Sequence, residues 1–354
     1  MPLTLPLWIK GIVAILLLVG SQYHLWCRLS SGSVFSPEFP RPVVILFTWA
    51  FGAILFLALL LLVLDGIILA AMLVQSGPVV VPDSLRTALA ASASLLAAIG
   101  VQAAVRVPPL KDVAIDIREL PPEFDGYRVL HFSDLHISRL FPAAWTRKLV
   151  DRSNALGVDL MVVTGDFVDG TLAARRADVE PLRDLVAPNG VYAIPGNHEY
   201  FFGYRDWMDH FAGMGMHMLL NQHAVLARGS ARLVLAGVTD ASAPATRDPA
   251  PDLDAALAGA PAHVPILLLD HQPRNARTAA ARGVALQLSG HTHGGMIRGL
   301  DRLVARGNDG FVSGRYAVGA MTLYVSNGTA LWPGFALRLG RPPELTRITL
   351  HRVA

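Results

Sequence analysis

The chain of 354 residues holds one cysteine, Cys27, so no disulfide can form within it and a disulfide-stapled scaffold is excluded. Charge is also scarce. Asp, Glu, Lys and Arg make up 16% of the residues and hydrophobic types 53%, which excludes a disordered chain. Neither sign dominates: 30 basic residues against 27 acidic ones leave a net charge of +3. No stretch carries the concentrated Lys/Arg footprint of a nucleic-acid binder, so no nucleic-acid partner is expected. No internal repeat is present.

The scarcity of charge is uneven, and that unevenness divides the chain. Residues 1–105 contain only Lys10, Arg28, Glu38, Arg41, Asp65, Asp83 and Arg86 as charged side chains. The remainder has the composition of an ordinary water-soluble domain, although the mean hydropathy of the whole is +0.43. A membrane region over 1–106 followed by a soluble domain over 107–354 is the expected organisation. Three apolar stretches, 7–26, 43–74 and 85–105, each supply the roughly 20 residues that cross a bilayer as a helix. The first lacks a small-residue cleavage site and precedes further spans, so it reads as a retained helix rather than a signal peptide. The second reads as one tilted or overlong helix. Asp65 falls late in it, at the depth of an interface, although an ionisable residue inside a span is a functional candidate by default. The third is rich in Ala, Ser and Gly, suited to close helix packing. Cys27, at the end of the first span, reads as a small apolar filler rather than a palmitoylation site.

A multi-pass protein of the cell membrane, with the lipid bilayer as partner, is therefore expected. With three spans, Arg28, Arg41, Arg106 and Lys111 share a side, and Lys10 and Arg86 lie on the other. The positive-inside rule then puts the C-terminal domain in the cytoplasm.

In the soluble part, Pro108-Pro109 opens a linker and short β-rich runs follow at 128–132, 160–163, 190–194, 233–236, 265–269, 285–288 and 323–325. Helical patterns lie between several of them, as at 143–156 and 275–282. Apolar strands interleaved with helices predict an α/β domain whose sheets are buried between layers. The Ala/Pro/Asp-rich segment 240–262 reads as a surface loop with a short helix.

Five of these strands run into metal-competent or acid/base residues: Ser133-Asp134-Leu135-His136, Thr164-Gly165-Asp166, Pro195-Gly196-Asn197-His198-Glu199, Asp270-His271-Gln272-Pro273 and Ser289-Gly290-His291-Thr292-His293-Gly294-Gly295. Ligands of α/β folds sit at the carboxyl ends of strands. A mixture of imidazole, carboxylate and amide oxygen suits Mn²⁺, Fe²⁺ or Zn²⁺ better than Ca²⁺. Seven candidate ligands, Asp134, His136, Asp166, Asn197, His271, His291 and His293, are too many for one ion. Two ions roughly 3.5–4 Å apart would use them all, with Asp166 as the natural bridge because a carboxylate has two oxygens to share.

The ordered set DLH, GDFVD, GNHE, HQP and GHTHGG resembles the calcineurin-like metallophosphoesterase superfamily. SGHTHGG followed by LYVSNG and PPELTRITL is similar to its YkuE/YaeI-like branch, over about residues 110–354. The resemblance implies a four-layer αββα sandwich and two divalent metal ions. Asp134, His136, Asp166 and His293 would hold the first ion, and Asp166, Asn197, His271 and His291 the second. His198 would contact the scissile phosphate and protonate the leaving oxygen. Glu199, in place of a more usual Asp, would orient that imidazole. Met296 and the run Trp332-Pro333-Gly334-Phe335 depart from the branch and bear on substrate choice.

The implied reaction is hydrolysis of a phosphodiester or pyrophosphate bond by hydroxide formed between the two cations, with a positioned imidazole assisting the leaving group. A membrane anchor suits a lipid-linked phosphate such as a UDP-diacylglucosamine-type pyrophosphate. A cell-envelope phosphodiesterase acting on a soluble or polymeric substrate, and a membrane scaffold with a structural metal site, stay open. His131, His210, His217, His223 and His263 lie outside the motifs and read as ordinary core or surface histidines. The aromatic and Met-rich segment 200–218 reads as core packing first and as an apolar entrance second.

Overall fold

Apolar residues with helix-favouring side chains form four helices in the first part of the chain: α1 (Leu7–Ser21), α2 (Tyr23–Ser31), α3 (Arg41–Gln75) and α4 (Asp83–Val105). The computed structural model describes residues 5–75 and 77–353. It divides into two compact units, one holding the helices up to Val105 together with Pro333–Leu339, the other holding Arg106–Trp332 and the chain from Gly340 onward. Helices α3 and α4 are each long and apolar enough to cross a membrane, and α1 with α2 make a third candidate if the bent pair is one span.

The expected single helix over 7–26 is instead two helices meeting at 52°. The break has a local cause. Ser21 Oγ donates to the Leu18 carbonyl at 2.8 Å and the Trp26 indole N–H donates to the Val19 carbonyl at 2.9 Å, so side chains stand in for the backbone ladder around Gln22. Helix α3 has 35 residues. At 1.5 Å per residue it is about 50 Å long, well beyond a hydrocarbon core of about 30 Å. Asp65 lies in its last third and lines a groove that also contains Arg86, in the first turns of α4.

Small residues set the packing of this unit. The buried positions of α3 are Val44, Thr48, Gly52 and Phe56, one every four residues, which puts them on one face. Ala93, Ala97, Gly100, Val101 and Ala104 are their counterparts on α4. Side chains this small let the helices approach closely, and the Trp49 indole N–H adds a bond to the Ser94 carbonyl at 3.1 Å. The segment Pro333–Leu339 is held among these helices. Tyr23 Oη donates to the Pro333 carbonyl at 3.0 Å, and the Arg338 N–H donates to the Gly100 carbonyl at 3.0 Å. The Leu337 side chain occupies the space that a Cβ on Gly52 or Gly100 would need. Cys27 is fully buried.

The second unit is built on two six-stranded mixed sheets. In chain order the strands are β1 (Leu110–Ile117), β2 (Arg128–Phe132), β3 (Leu160–Thr164), β4 (Val191–Ile194), β5 (His217–Met218), β6 (Gln222–Arg228), β7 (Ala231–Gly237), β8 (Ile266–Leu269), β9 (Leu286–Ser289), β10 (Gly314–Val318), β11 (Met321–Val325) and β12 (Leu345–Arg352). One sheet has the order β1-β12-β2-β3-β4-β5, the other β10-β11-β9-β8-β7-β6. The period of two along each strand decides what faces what. Leu267, Leu269, Leu286 and Leu288 of one sheet join Val129, Leu160, Val162 and Ile348 of the other in a shared core. Leu268 and Leu323 point the opposite way, into a second core with Ala276 and Ala279 from the flanking helix. Helices outside and two sheets inside make the four-layer sandwich.

Strands β1, β5, β6, β10 and β12 add to the seven apolar runs visible in the sequence. Their residues mix polar with apolar types without a continuous apolar run, as in Leu110-Lys111-Asp112-Val113, so they carry little hydrophobic signal. The Pro108-Pro109 linker is correspondingly short, because β1 begins at Leu110 and pairs in parallel with β12 from Leu110↔Leu345 to Ile117↔Arg352. Strands β2, β3 and β4 run parallel to one another, as do β7, β8 and β9. Their carboxyl ends carry the site.

Candidate metal centre

Each site residue sits in a turn that leaves a strand end, and those turns are strained. Asp134 (φ 56°), His136 (φ 42°), Asp166 (φ 54°), His291 (φ 67°) and His293 (φ 50°) all adopt left-handed backbone. For a residue with a side chain that conformation costs on the order of 1 kcal/mol or more, and it persists only where the surroundings enforce it. Five of the seven candidate ligands carry this cost. Two glycines make the enforcement possible. A Cβ on Gly290 would overlap the Ser133 and Asp134 side chains, and one on Gly196 would overlap Asp166.

The seven side chains converge from both sheets. Asp134 Oδ1 lies 3.6 Å from His293 Nε2 and 4.0 Å from His136 Nε2, and the two imidazole nitrogens are 3.2 Å apart. Asn197 Oδ1 lies 2.9 Å from His291 Nδ1 and 3.1 Å from His271 Nε2. Asp166 belongs to both groups through a single oxygen: Oδ2 is 3.8 Å from His136 Nε2 and 3.3 Å from His271 Nε2. Asp134 with His136 and His293, His136 with Asp166 and His198, and Asp166 with His271 and His291, form tight clusters of potential ligand atoms.

The hydrogen bonds behind these atoms fix which nitrogens face the site. His271 Nδ1 meets the Thr164 carbonyl at 2.6 Å. A carbonyl only accepts, so Nδ1 carries a hydrogen and Nε2 is the nitrogen that faces Asp166. His136 Nδ1 faces Asp169 Oδ2 at 3.2 Å, and His136 Nε2 faces His293 Nε2. Asp134 is braced by Ser133 Oγ at 2.6 Å and by the His291 N–H at 3.1 Å.

Electrostatics agree with a ligand set. Burial raises Asp134 above the usual carboxylate range, the penalty a nearby cation removes. Burial acts on Asp166 in the same direction, but His271 and His198 outweigh it and hold that carboxyl well below its ordinary value. Burial and the neighbouring His271 pull His291 down to about 4, so it is a neutral imidazole able to ligate. Carboxylate oxygens, an amide oxygen and imidazole lone pairs facing one another across two adjoining spaces fit two divalent ions.

His198 stands beside this set. Its Nε2 is 3.9 Å from Asp166 Oδ2, and its Nδ1 is 2.5 Å from Asp169 Oδ1. Burial pulls its pKa down, but the carboxylates of Asp166 and Asp169 outweigh burial and hold it up to about 9. Asp169 is the residue the sequence reading lacked. Its signal was the second aspartate of the GDFVD run, three positions after Asp166. The expected orienting role of Glu199 is corrected accordingly. Glu199 faces backbone, accepting from the N–H groups of Gly196 at 2.7 Å, Phe167 at 2.8 Å, Asp166 at 3.0 Å and Val168 at 3.3 Å. Because it is the third residue of the short helix α5 (Asn197–Phe201), its carboxylate reaches back to the helix start in capping-box fashion and clamps the Asp166 turn to the Asn197 turn.

The 200–218 segment packs inward. Tyr200, Phe202, Tyr204, Trp207, Met208, Phe211, Met214 and Met216 are buried, and Phe201 alone of its aromatics is half exposed, at 51%. The Phe201 ring centroid is 5.3 Å from that of His198.

Comparison with known proteins agrees with this geometry. A family model described as calcineurin-like phosphoesterase matches residues 127–295. YkuE of Bacillus subtilis, a metallophosphoesterase, is 31% identical over 240 residues, covering 65% of this chain and 81% of that protein. The chain belongs to the calcineurin-like metallophosphoesterase family. A transmembrane protein with a metallophosphoesterase domain from Danio rerio is 32% identical over 268 residues, 73% of this chain and 61% of that protein. A metallophosphoesterase of Helicobacter pylori is 31% identical over 245 residues, 69% of this chain and 64% of that protein. The chain thus spans somewhat under two thirds of the length of these last two relatives. Metallophosphoesterases of this family use two divalent ions, and the donor set at the strand ends has the composition and spacing for a pair.

Proposed function

We propose that this metallophosphoesterase is a membrane-anchored hydrolase of phosphodiester or pyrophosphate bonds, with a lipid-linked phosphate as its leading substrate class. The observation that carries the reading is Asp166 Oδ2, placed within 4 Å of His136 Nε2 and of His271 Nε2 at once. One carboxylate oxygen between two donor groups is the arrangement a dinuclear site requires. In this reading Asp134, His136, Asp166 and His293 hold one ion, and Asp166, Asn197, His271 and His291 the other.

Two divalent ions held by these residues would neutralise phosphate charge and acidify a bound water. The chain's own residues do the rest. Protonated His198 points Nε2 toward the bridging carboxylate, where a phosphate oxygen would lie, and gives its proton to the departing oxygen. Asp169 holds Nδ1 so that Nε2 is the nitrogen aimed at the reaction. Glu199 keeps the Asp166 and Asn197 turns at fixed separation. Phe201 offers an apolar surface beside His198 for the non-phosphate part of the substrate.

The lipid-linked class is supported by the apolar helices, which would keep the enzyme in the layer where such a substrate resides. The chain is read as multi-pass, with the catalytic unit on the cytoplasmic side together with Arg28, Arg41, Arg106 and Lys111. The test is hydrolysis of bis-(p-nitrophenyl) phosphate by the purified full chain with added Mn²⁺, followed by phosphate release from a lipid extract. Metal-dependent turnover of both supports the proposal. Turnover of the diester alone moves the substrate to the soluble class, and no turnover of either leaves a scaffold.

A further inference from the structure

The segment directly after the metal-binding loop has a character unlike the rest of the second unit's surface. Between Met296 and Arg306 it exposes two leucines, Leu300 at 40% and Leu303 at 60%, and three arginines, Arg298, Arg302 and Arg306. Among the described residues, none of these arginine side chains has an ion pair or hydrogen bond. The segment's one acidic residue is used internally. Asp301 Oδ1 accepts from the N–H groups of Gly299 at 2.9 Å and Arg302 at 3.1 Å, and its other oxygen pairs with Arg341. Three positive charges and two large apolar side chains therefore face solvent with nothing to balance them.

The position of the segment is fixed relative to the site. Asp301 backbone lies against Gly295, where a Cβ would overlap it, and Gly295 is two residues after the candidate ligand His293. The surface thus borders the candidate metal centre.

We propose that Met296–Arg306 docks on an anionic phospholipid surface, with the arginines among headgroup phosphates and Leu300 and Leu303 at the acyl boundary. An exposed face combining basic and large apolar residues is the pattern of interfacial membrane contact, whereas an ordinary solvated face carries charge without leucines. Each arginine near an anionic surface strengthens binding by roughly fivefold. A free protein would gain little from three. A chain already anchored in the bilayer meets that surface at high effective concentration, so weak contacts suffice to hold it. The docked state sets the dinuclear site against phosphates that lie at membrane depth.

The inference rests on the chain spanning the bilayer, and the experiment separates the two. The full chain with Cys27→Ser and Leu303→Cys is labelled with a fluorophore at position 303 and reconstituted into phosphatidylcholine vesicles, with or without phosphatidylglycerol, containing a headgroup-quencher lipid. Flotation with the vesicles reports anchoring alone. Docking predicts quenching several-fold stronger with phosphatidylglycerol, reversed by salt and lost in R298Q/R302Q/R306Q, while hydrolysis of a soluble diester stays unchanged in that variant. Equal quenching in both vesicle types, or quenching indifferent to salt, overturns the inference. The salt titration decides the matter on the unsubstituted arginines, so it holds even if the triple variant folds poorly.

Discussion

His198 Nδ1 and Asp169 Oδ1 stand 2.5 Å apart, both buried, and this contact helps set the protonation state of the imidazole beside Asp166. With its pKa held up to about 9, His198 is charged at neutral pH and can act as an acid. Removing the Asp169 charge removes one of the carboxylates that hold that pKa up. Asp169→Asn is therefore expected to move the alkaline limb of the pH–rate profile to lower pH and to cut kcat about ten- to a hundredfold, with KM little changed. A profile identical to the parent's would show that Asp169 does not control the imidazole.

His198→Ala is expected to keep both ions and lose at least about a hundredfold in turnover on substrates with a poor leaving group. A nitrophenolate departs without much help, so p-nitrophenyl esters should lose distinctly less. The comparison of an alkyl and a nitrophenyl diester checks it. Equal losses on both would assign His198 to phosphate binding rather than proton donation.

Glu199 is a buried carboxylate whose two oxygens take four backbone N–H groups. Glu199→Gln replaces one of those oxygens with an NH₂ group directed at N–H donors, leaving buried groups unsatisfied at a cost of roughly 2–4 kcal/mol. The expected result is a lower Tm together with weaker metal retention, since the clamp joins the Asp166 and Asn197 turns. Thermal melts with and without added metal measure both.

His131, which is not among the candidate ligands, gives a pH dependence of stability. It is wholly buried, bonded through Nε2 to Thr164 Oγ1 at 2.8 Å, and burial pulls its pKa down to about 3. A histidine depressed in the folded state takes up its proton on unfolding. Its contribution is thus complete above the unfolded pKa of roughly 6.5 and is lost as pH falls toward about 3, amounting to roughly 3 kcal/mol by about pH 4. His131→Gln should flatten the dependence of Tm on pH in that window; an unchanged slope would contradict the assignment.

Much of the site was legible in the sequence because its residues sit at the ends of strands whose apolar runs are unmistakable. Strands β2, β3, β4, β8 and β9 point to Asp134, Asp166, Asn197, His271 and His291 through chain order alone. What the sequence hid is relational. Asp169 and Glu199 are both acidic residues near ligands, and only the fold shows that Asp169 reaches the imidazole while Glu199 turns back to the amides of its own helix start. The bend at Gln22 was hidden for a similar reason, since hydropathy averages over a window and cannot see Ser21 and Trp26 taking backbone carbonyls. The placement of Pro333–Leu339 with the membrane helices depends on Gly52 and Gly100 leaving room for Leu337, a fit between residues far apart in the chain.

The central claim is that two divalent ions share Asp166, and metal content of the purified full chain tests it most directly. Elemental analysis should find two ions per chain in the parent, a strong loss of both in Asp166→Asn, and loss of chiefly one in His291→Ala. A single ion in the parent, or Asp166→Asn retaining the parent's full complement, would contradict the account.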